Sequence, residues 1–239
     1  MVIARQIREK LAGTPTGTVL TTKDFDIEMQ YQSALVKALN RLIQQGSLQK
    51  ISKGRYYIPK KTVFGTLRPA DSELVKDLLE CKGAIVGYIT GTTAFASMGL
   101  TTQVSSSILV GTNKYRRPLT RNGVKISFLQ QDNPITQQNI PLLRLLDALR
   151  LMKMIPAASP DECIKNIGNR VKALSANEQA ELLQLSLRYA PYVRASLGAI
   201  AENIGIATDM LRRTLNGVTY YKLPISEEAL PNKKNWNIL

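Results

Sequence analysis

The chain has 239 residues, 44% of them hydrophobic, which is enough for a packed core and argues against disorder. Its formal charge is +14, so the expected partner is a polyanion, most simply nucleic acid. With no histidine and two isolated cysteines, Cys81 and Cys163, the chain lacks the usual general base, a disulfide framework and a thiol–imidazole metal set.

Ile3, Ile7 and Leu11 recur at helical spacing and predict a first helix over Val2–Leu11, ended by Gly13, Pro15 and Gly17. A short apolar strand is expected at Thr18–Leu20. Thr21 then caps a helical turn reaching Phe25, with Asp24 suited to its positive end. A second helix is predicted over Tyr31–Gln45, with Leu35, Ala38, Leu39, Leu42 and Ile43 as its buried stripe and Gly46 as its stop. Its opposite face carries Gln32, Ser33, Lys37, Asn40, Arg41 and Gln44. Gln and Asn can pair with adenine, and Lys and Arg with guanine or phosphate, so this face has the donors of a major-groove reader. The residues near the helix start, Gln32, Ser33 and Lys37, are the base-contact candidates.

Ser47–Lys61 reads as a two-stranded ribbon anchored by Leu48, Ile51, Tyr56 and Ile58. Lys50, Lys53, Arg55, Lys60 and Lys61 are its candidates for phosphate contact, around a Lys53–Gly54 tip. Helix, helix, recognition helix and basic ribbon is the order of a winged helix-turn-helix. Charge agrees with that reading. Residues 1–61 hold 11 Lys+Arg against 4 Asp+Glu and residues 62–239 hold 21 against 14, so each segment carries +7 and the first is far denser. The plain alternative is a small helical domain with a solvated polar face.

Residues 62–69 read as a linker punctuated by Gly65 and Pro69. Helix is expected over Ser72–Glu80, strand at Ala84–Tyr88, a short helix over Thr90–Met98 entered through Gly91, and strands at Ser107–Val110 and Val124–Leu129. Asn122–Gly123 is a hairpin turn by composition. The loop Thr112–Arg121 carries Lys114, Arg116, Arg117 and Arg121, either as a second nucleic-acid contact or as a solvated loop. Ile140–Met154 is strongly apolar and helical. Ser159-Pro-Asp-Glu162 and Ser175-Ala-Asn-Glu178 are capping boxes opening helices to about Ala173 and over Gln179–Ala190. Helices follow at Pro191–Asn203 and Ala207–Leu215, then a last strand at Val218–Leu223. Residues 224–239 read as a loose tail, whose Trp236 either docks on the core or serves a partner.

Enzymatic signatures are missing from this half. Gly111-Thr-Asn-Lys114 lacks the spacing of a phosphate-binding loop. Lys125 has no carboxylate on its strand, and Asp132 stands alone beyond it, so a two-carboxylate nuclease site does not assemble. Serines 105–107 have no histidine partner, which leaves a Ser–Lys pair as the one nucleophile arrangement still open to them. The expectation is a protein that is not an enzyme and takes no cofactor. No apolar run approaches the roughly 18 residues of a membrane span, and the chain start lacks a signal peptide's apolar region. A cytoplasmic protein without a membrane partner follows from these readings.

Four segments carry a resemblance. They are Gly17-Thr-Val-Leu-Thr-Thr-Lys-Asp-Phe25, Ala38-Leu-Asn-Arg-Leu42 with Gly46, Ile51-Ser-Lys-Gly-Arg-Tyr-Tyr57, and Thr92-Thr-Ala-Phe-Ala-Ser-Met-Gly-Leu-Thr-Thr-Gln-Val104. Over residues 1–170 the chain resembles the AbiEi-type antitoxin and transcriptional-regulator proteins of bacterial abortive-infection systems. The resemblance implies a winged helix that binds inverted repeats of double-stranded DNA at its own promoter. It also implies a C-terminal domain that counters a nucleotidyltransferase toxin, with or without a stable complex.

The expected fold is α+β. It comprises a winged helix-turn-helix at 1–61, the linker at 62–69, a mixed α/β domain with a largely helical C-terminal part at 70–223, and the tail at 224–239. The expected function is autoregulating antitoxin. The alternative is a ligand-responsive winged-helix transcription factor without a toxin partner.

Overall fold

A computed structural model of the chain describes residues 2–239, with side chains from Ile3 onward; Met1, the first residue of the segment read above, lies outside the described residues. The architecture is mixed α+β and divides into two compact units, Met1–Asp77 with Leu119–Lys125, and Leu78–Pro118 with Ile126–Leu239.

In the first unit α1 (Val2–Ala12) precedes β1 (Val19–Thr21) and a 3-10 turn, Thr22–Phe25. The Asp24 carboxylate accepts from the Thr21 N–H at 2.6 Å, one half of a capping box, and from the Thr21 hydroxyl at 2.8 Å. A second 3-10 turn, Met29–Tyr31, leads into α2 (Gln32–Gln44). Gly46, at φ 70°, ends α2. Its N–H donates to Ile43 O at 2.9 Å and that of Ser47 to Leu42 O at 2.9 Å, the paired bonds of a Schellman close that only a residue at ease with positive φ permits.

β2 (Gln49–Ser52) and β3 (Arg55–Tyr57) follow. The ribbon is not two-stranded: β1 joins it, giving the order β1-β3-β2 with antiparallel pairs. Ile7, Leu20, Phe25, Leu35, Leu39, Leu48 and Tyr56 form the core, with Ala38, Leu42, Ile43 and Ile58 packed against it.

Residues 62–69 differ from expectation. Lys60 and Lys61 leave the ribbon at Pro59 and start a separate hairpin, β4 (Lys60–Thr62) and β5 (Gly65–Leu67). Gly65 takes φ 112°, so the glycine that signalled a linker instead turns a hairpin. α3 (Asp71–Leu79) follows, its Glu73 carboxylate accepting from the Val19 N–H at 2.9 Å.

The remaining elements are β6 (Glu80–Cys81), β7 (Ala84–Ile85), β8 (Gly87–Thr90), α4 (Thr92–Ser97), β9 (Ser107–Thr112), β10 (Leu119–Arg121) and β11 (Val124–Gln130). β6 pairs β7, and a four-stranded sheet has the order β10-β11-β9-β8. Asn122 and Gly123 both take positive φ at the β10–β11 turn, as that dipeptide predicts. Helices α5 (Ile140–Leu151), α6 (Pro160–Ala173), α7 (Ala176–Ser186), α8 (Pro191–Asn203) and α9 (Asp209–Arg212) complete the chain. The strand expected at Val218–Leu223 reduces to a single parallel bridge, Tyr221 to Ile238.

Residues 224–239 do not form a loose tail. Ile225, Ala229, Leu230, Trp236 and Ile238 are buried in the core of the second unit. Trp236 donates its Nε1–H to Glu202 at 2.9 Å, and Asn232 donates to the same carboxylate at 2.7 Å. The Arg212 guanidinium stands 4.5 Å over the indole centroid and binds Glu202 at 2.6 Å. Five buried apolar residues and the Glu202 contacts suffice to fasten the segment.

Candidate nucleic-acid interface

On α2, Leu35 and Leu39 are fully buried, so the 3.6-residue period turns Ser33, Lys37, Asn40, Arg41 and Gln44 outward, where all are exposed. The side chain of Gln32 is not free. It is half-buried, and its Nε2 donates to Ile27 O at 2.8 Å, tying the helix start to the preceding loop. The exposed row thus retains every α2 candidate except Gln32.

On the ribbon, Lys50 and Lys53 are exposed, with Gly54 at φ 71° forming the tip. Arg55 is half-buried and bound to Asp77, whose carboxylate also holds Arg121 at 2.6 and 3.0 Å. Arg121 donates to Leu74 O at 2.6 Å as well. Burial pushes the Asp77 carboxyl up, but the hydrogen bond and charge of Arg121, then the charge of Arg55, outweigh it and hold the group below its ordinary 3.8. Arg55 and Arg121 are therefore the two arms of an ion-pair clamp within the first unit. Among the residues of the basic loop, Arg121 is occupied this way, while Lys114 and Arg117 are exposed.

Lys60 and Lys61 are exposed on β4. The Lys61 ammonium lies 4.0 Å from the position a Cβ on Gly46 would take, beside the carbonyl end of α2 where a cation is favoured. That contact puts the hairpin next to the helix carrying the exposed polar row.

Lys125 and Asp132 are both exposed. Among the described residues, no three His, Cys, Asp or Glu gather as a metal site.

The second unit holds a polar cluster that the sequence reading passed over. Asp147, on α5 among leucines, is fully buried. It accepts from Tyr88 at 2.8 Å, Thr90 at 2.8 Å and Tyr189 at 2.9 Å. The Gln131 amide donates to both tyrosine hydroxyls, at 2.9 and 2.7 Å, and its oxygen accepts from the backbone and side chain of Asn133 at 2.9 and 3.0 Å. The donors run in one direction, from Gln131 through the tyrosines to the carboxylate. Burial pushes the Asp147 carboxyl up against the three hydroxyls that stabilise its charge. Burial, with the Asp147 charge, pushes both phenols up too. A perturbed acid is often a catalytic one, but a carboxylate without accessible surface meets no substrate. Asp147 is a polar anchor joining β8, α5 and the segments around Gln131 and Tyr189. The available signal was a lone acid in Leu145-Leu-Asp-Ala-Leu149.

Against known proteins, residues 6–144 match the model of a family described as "Family of unknown function (DUF6088)", and the chain belongs to that family. Among solved structures it is similar to "Crystal structure of RV2827C protein from Mycobacterium tuberculosis", at 14% identity and a TM-score of 0.49, over 93% of this chain and 85% of that one. None of the curated proteins matches.

Proposed function

We propose that this DUF6088 member binds double-stranded DNA through its first unit, as a winged helix-turn-helix with α2 as the reading helix and β2–β3 as the wing. The observation that carries the reading is the exposed row Ser33, Lys37, Asn40 and Arg41 on a helix whose opposite face buries Leu35 and Leu39. Lys50 and Lys53 at the ribbon, and Lys60 and Lys61 on the next hairpin, add cations free for phosphate. Base-edge donors on a helix joined to phosphate-binding cations are what specific recognition needs. The resemblance noted from sequence extends the proposal: the protein represses its own operon at promoter inverted repeats and serves as antitoxin to a nucleotidyltransferase.

The test is titration of a labelled duplex over a salt series with the wild type and a Lys50→Ala/Lys53→Ala variant. Loss of two phosphate contacts flattens the slope of log affinity against log salt by about 1.8. An unchanged slope removes the ribbon from the interface. Co-expression with a nucleotidyltransferase encoded beside the gene tests the antitoxin role through growth rescue, and absence of rescue contradicts it.

A second reading, a ligand-responsive regulator, is favoured by a cleft of about 470 Å³ in the second unit. Tyr192, Tyr220 and Tyr221 line it with Arg150, Lys153 and Lys222, and the Tyr221 hydroxyl is buried without a hydrogen-bond partner. Aromatic faces beside cations suit an anionic aromatic molecule. A thermal shift with a nucleoside monophosphate, lost in Tyr221→Ala, supports that reading; no shift contradicts it.

A further inference from the structure

The hairpin β4–β5 does nothing for the core. Every residue from Val63 to Leu67 is exposed, as are Lys60 and Lys61. Two-stranded hairpins that bury so little are marginal in water. At its tip, Val63 and Phe64 are 93% and 97% exposed.

Turn chemistry does not ask for these residues. Two-residue hairpin turns favour Asn, Asp and Gly for their tolerance of positive φ. In this turn the positive φ falls on Gly65 instead, at 112°, and not on Val63 or Phe64. The Thr62 hydroxyl donates to Gly65 O at 2.8 Å and closes the bend. Thr62 and Gly65 meet the geometry, so polar residues would serve between them. An apolar pair in full solvent breaks the rule for turns without any gain to the fold, and such breaks mark contact sites.

Charge says what kind of contact. No acid lies between Lys60 and Ala70, and β5 offers only Gly65, Thr66 and Leu67 opposite the lysines. Arg68 follows, paired with Asp71 at 3.3 Å. The Lys61 ammonium sits at the end of α2, so the apolar tip is tethered beside the proposed reading helix.

We infer that the hairpin is a DNA wedge, an inference that rests on the DNA-binding reading above. Lys60 and Lys61 hold backbone phosphates while Phe64, with Val63 behind it, enters between two base pairs from the minor groove. Apolar side chains that unstack a step from that groove bend the duplex toward the major groove. Pyrimidine–purine steps open most readily, so the wedge prefers a TA or CA step.

The experiment measures affinity and end-to-end energy transfer on a doubly labelled duplex with a central TA step. Wild type, Phe64→Ala, Phe64→Leu and Lys60→Ala/Lys61→Ala are compared over a salt series. Phe64 touches nothing, so Phe64→Ala keeps the wild-type unfolding midpoint. The wedge predicts a bend with the wild type, and loss of the bend with about tenfold weaker binding for Phe64→Ala. The salt slope stays unchanged for that variant, because no charge is removed. Phe64→Leu retains most of the bend, and the double lysine variant lowers the slope by about 1.8.

If the wild type binds DNA but Phe64→Ala binds and bends it equally, the wedge is wrong and the DNA reading stands. If the wild type does not bind DNA, both fall. If Phe64→Ala instead converts a dimer to a monomer, or abolishes co-sedimentation with phosphatidylserine–phosphatidylcholine vesicles, with bending intact, the tip serves another surface and the wedge is overturned.

Discussion

The indole of Trp236 occupies the space that a side chain on Gly198 would need: a Cβ there would fall 2.2 Å from the ring's Cζ3. α8 therefore has to carry a glycine where the last segment docks. Gly198→Ala should displace the indole at a cost of about 1–3 kcal/mol, the usual range for overpacking. Trp236 is the chain's single tryptophan, so its emission reports the event directly. A red shift with a lowered unfolding midpoint is expected, and an unmoved emission maximum would show that the contact does not confine the ring.

Asp147 carries the second prediction. Asp147→Ala leaves the Tyr88, Thr90 and Tyr189 hydroxyls without their acceptor and opens a cavity, for a loss of about 3–5 kcal/mol in denaturant unfolding. Asp147→Asn keeps the volume and one acceptor, so it should cost less than the alanine variant. Equal stability of Asp147→Ala and wild type would strip the cluster of its anchoring role.

The clamp at Asp77 separates structure from DNA contact. Its folded-state carboxyl lies below the ordinary 3.8, so its stabilising contribution is present above that value and is lost as pH falls through the folded one. Asp77→Asn should therefore lie below wild type in stability at neutral pH and converge with it on acidification. Arg55→Ala should behave in the same way while leaving the salt slope of DNA binding unchanged, whereas Lys53→Ala flattens it by about 0.9. A flattened slope in Arg55→Ala would mean that the guanidinium leaves Asp77 for phosphate.

Along α2 the outcome depends on which side chains are free. Lys37→Ala and Asn40→Ala should narrow the gap between preferred and scrambled duplexes, by about 1–3 kcal/mol for each lost base pairing. Gln32→Ala should leave that gap intact and cost about 1 kcal/mol of stability, because its amide serves Ile27 O. Competition binding and thermal unfolding read the two effects separately.

What the sequence made legible was local. Gly46, Asn122–Gly123 and Thr21–Asp24 each announce a backbone geometry that a few neighbouring atoms decide, and each appears where expected. The two capping boxes show the limit. Ser175 and Glu178 form theirs, with the Glu178 carboxylate accepting from the Ser175 N–H at 2.8 Å. Ser159 makes no such bond, and Asp161 of that motif accepts from the Ser226 N–H at 2.8 Å instead. A partner 65 residues away cannot be read from a four-residue pattern. The same limit hid the docking of residues 224–239, which rests on Glu202, Arg212 and Gly198. In the candidate interface, exposure of Ser33, Lys37, Asn40 and Arg41 followed from helical period alone. The capture of Arg55 by Asp77 did not, because charge counting assigns an arginine to solvent until the fold places an acid beside it.

DNA recognition by the first unit is tested most directly by binding of the purified protein to the DNA upstream of its own gene, set against a scrambled duplex over a salt series. A DNA-reading first unit predicts selective binding whose affinity falls steeply with salt, as several phosphate contacts from α2 and the two hairpins demand. Weak binding that ignores sequence and salt would contradict it, reducing the exposed row of α2 to a solvated surface.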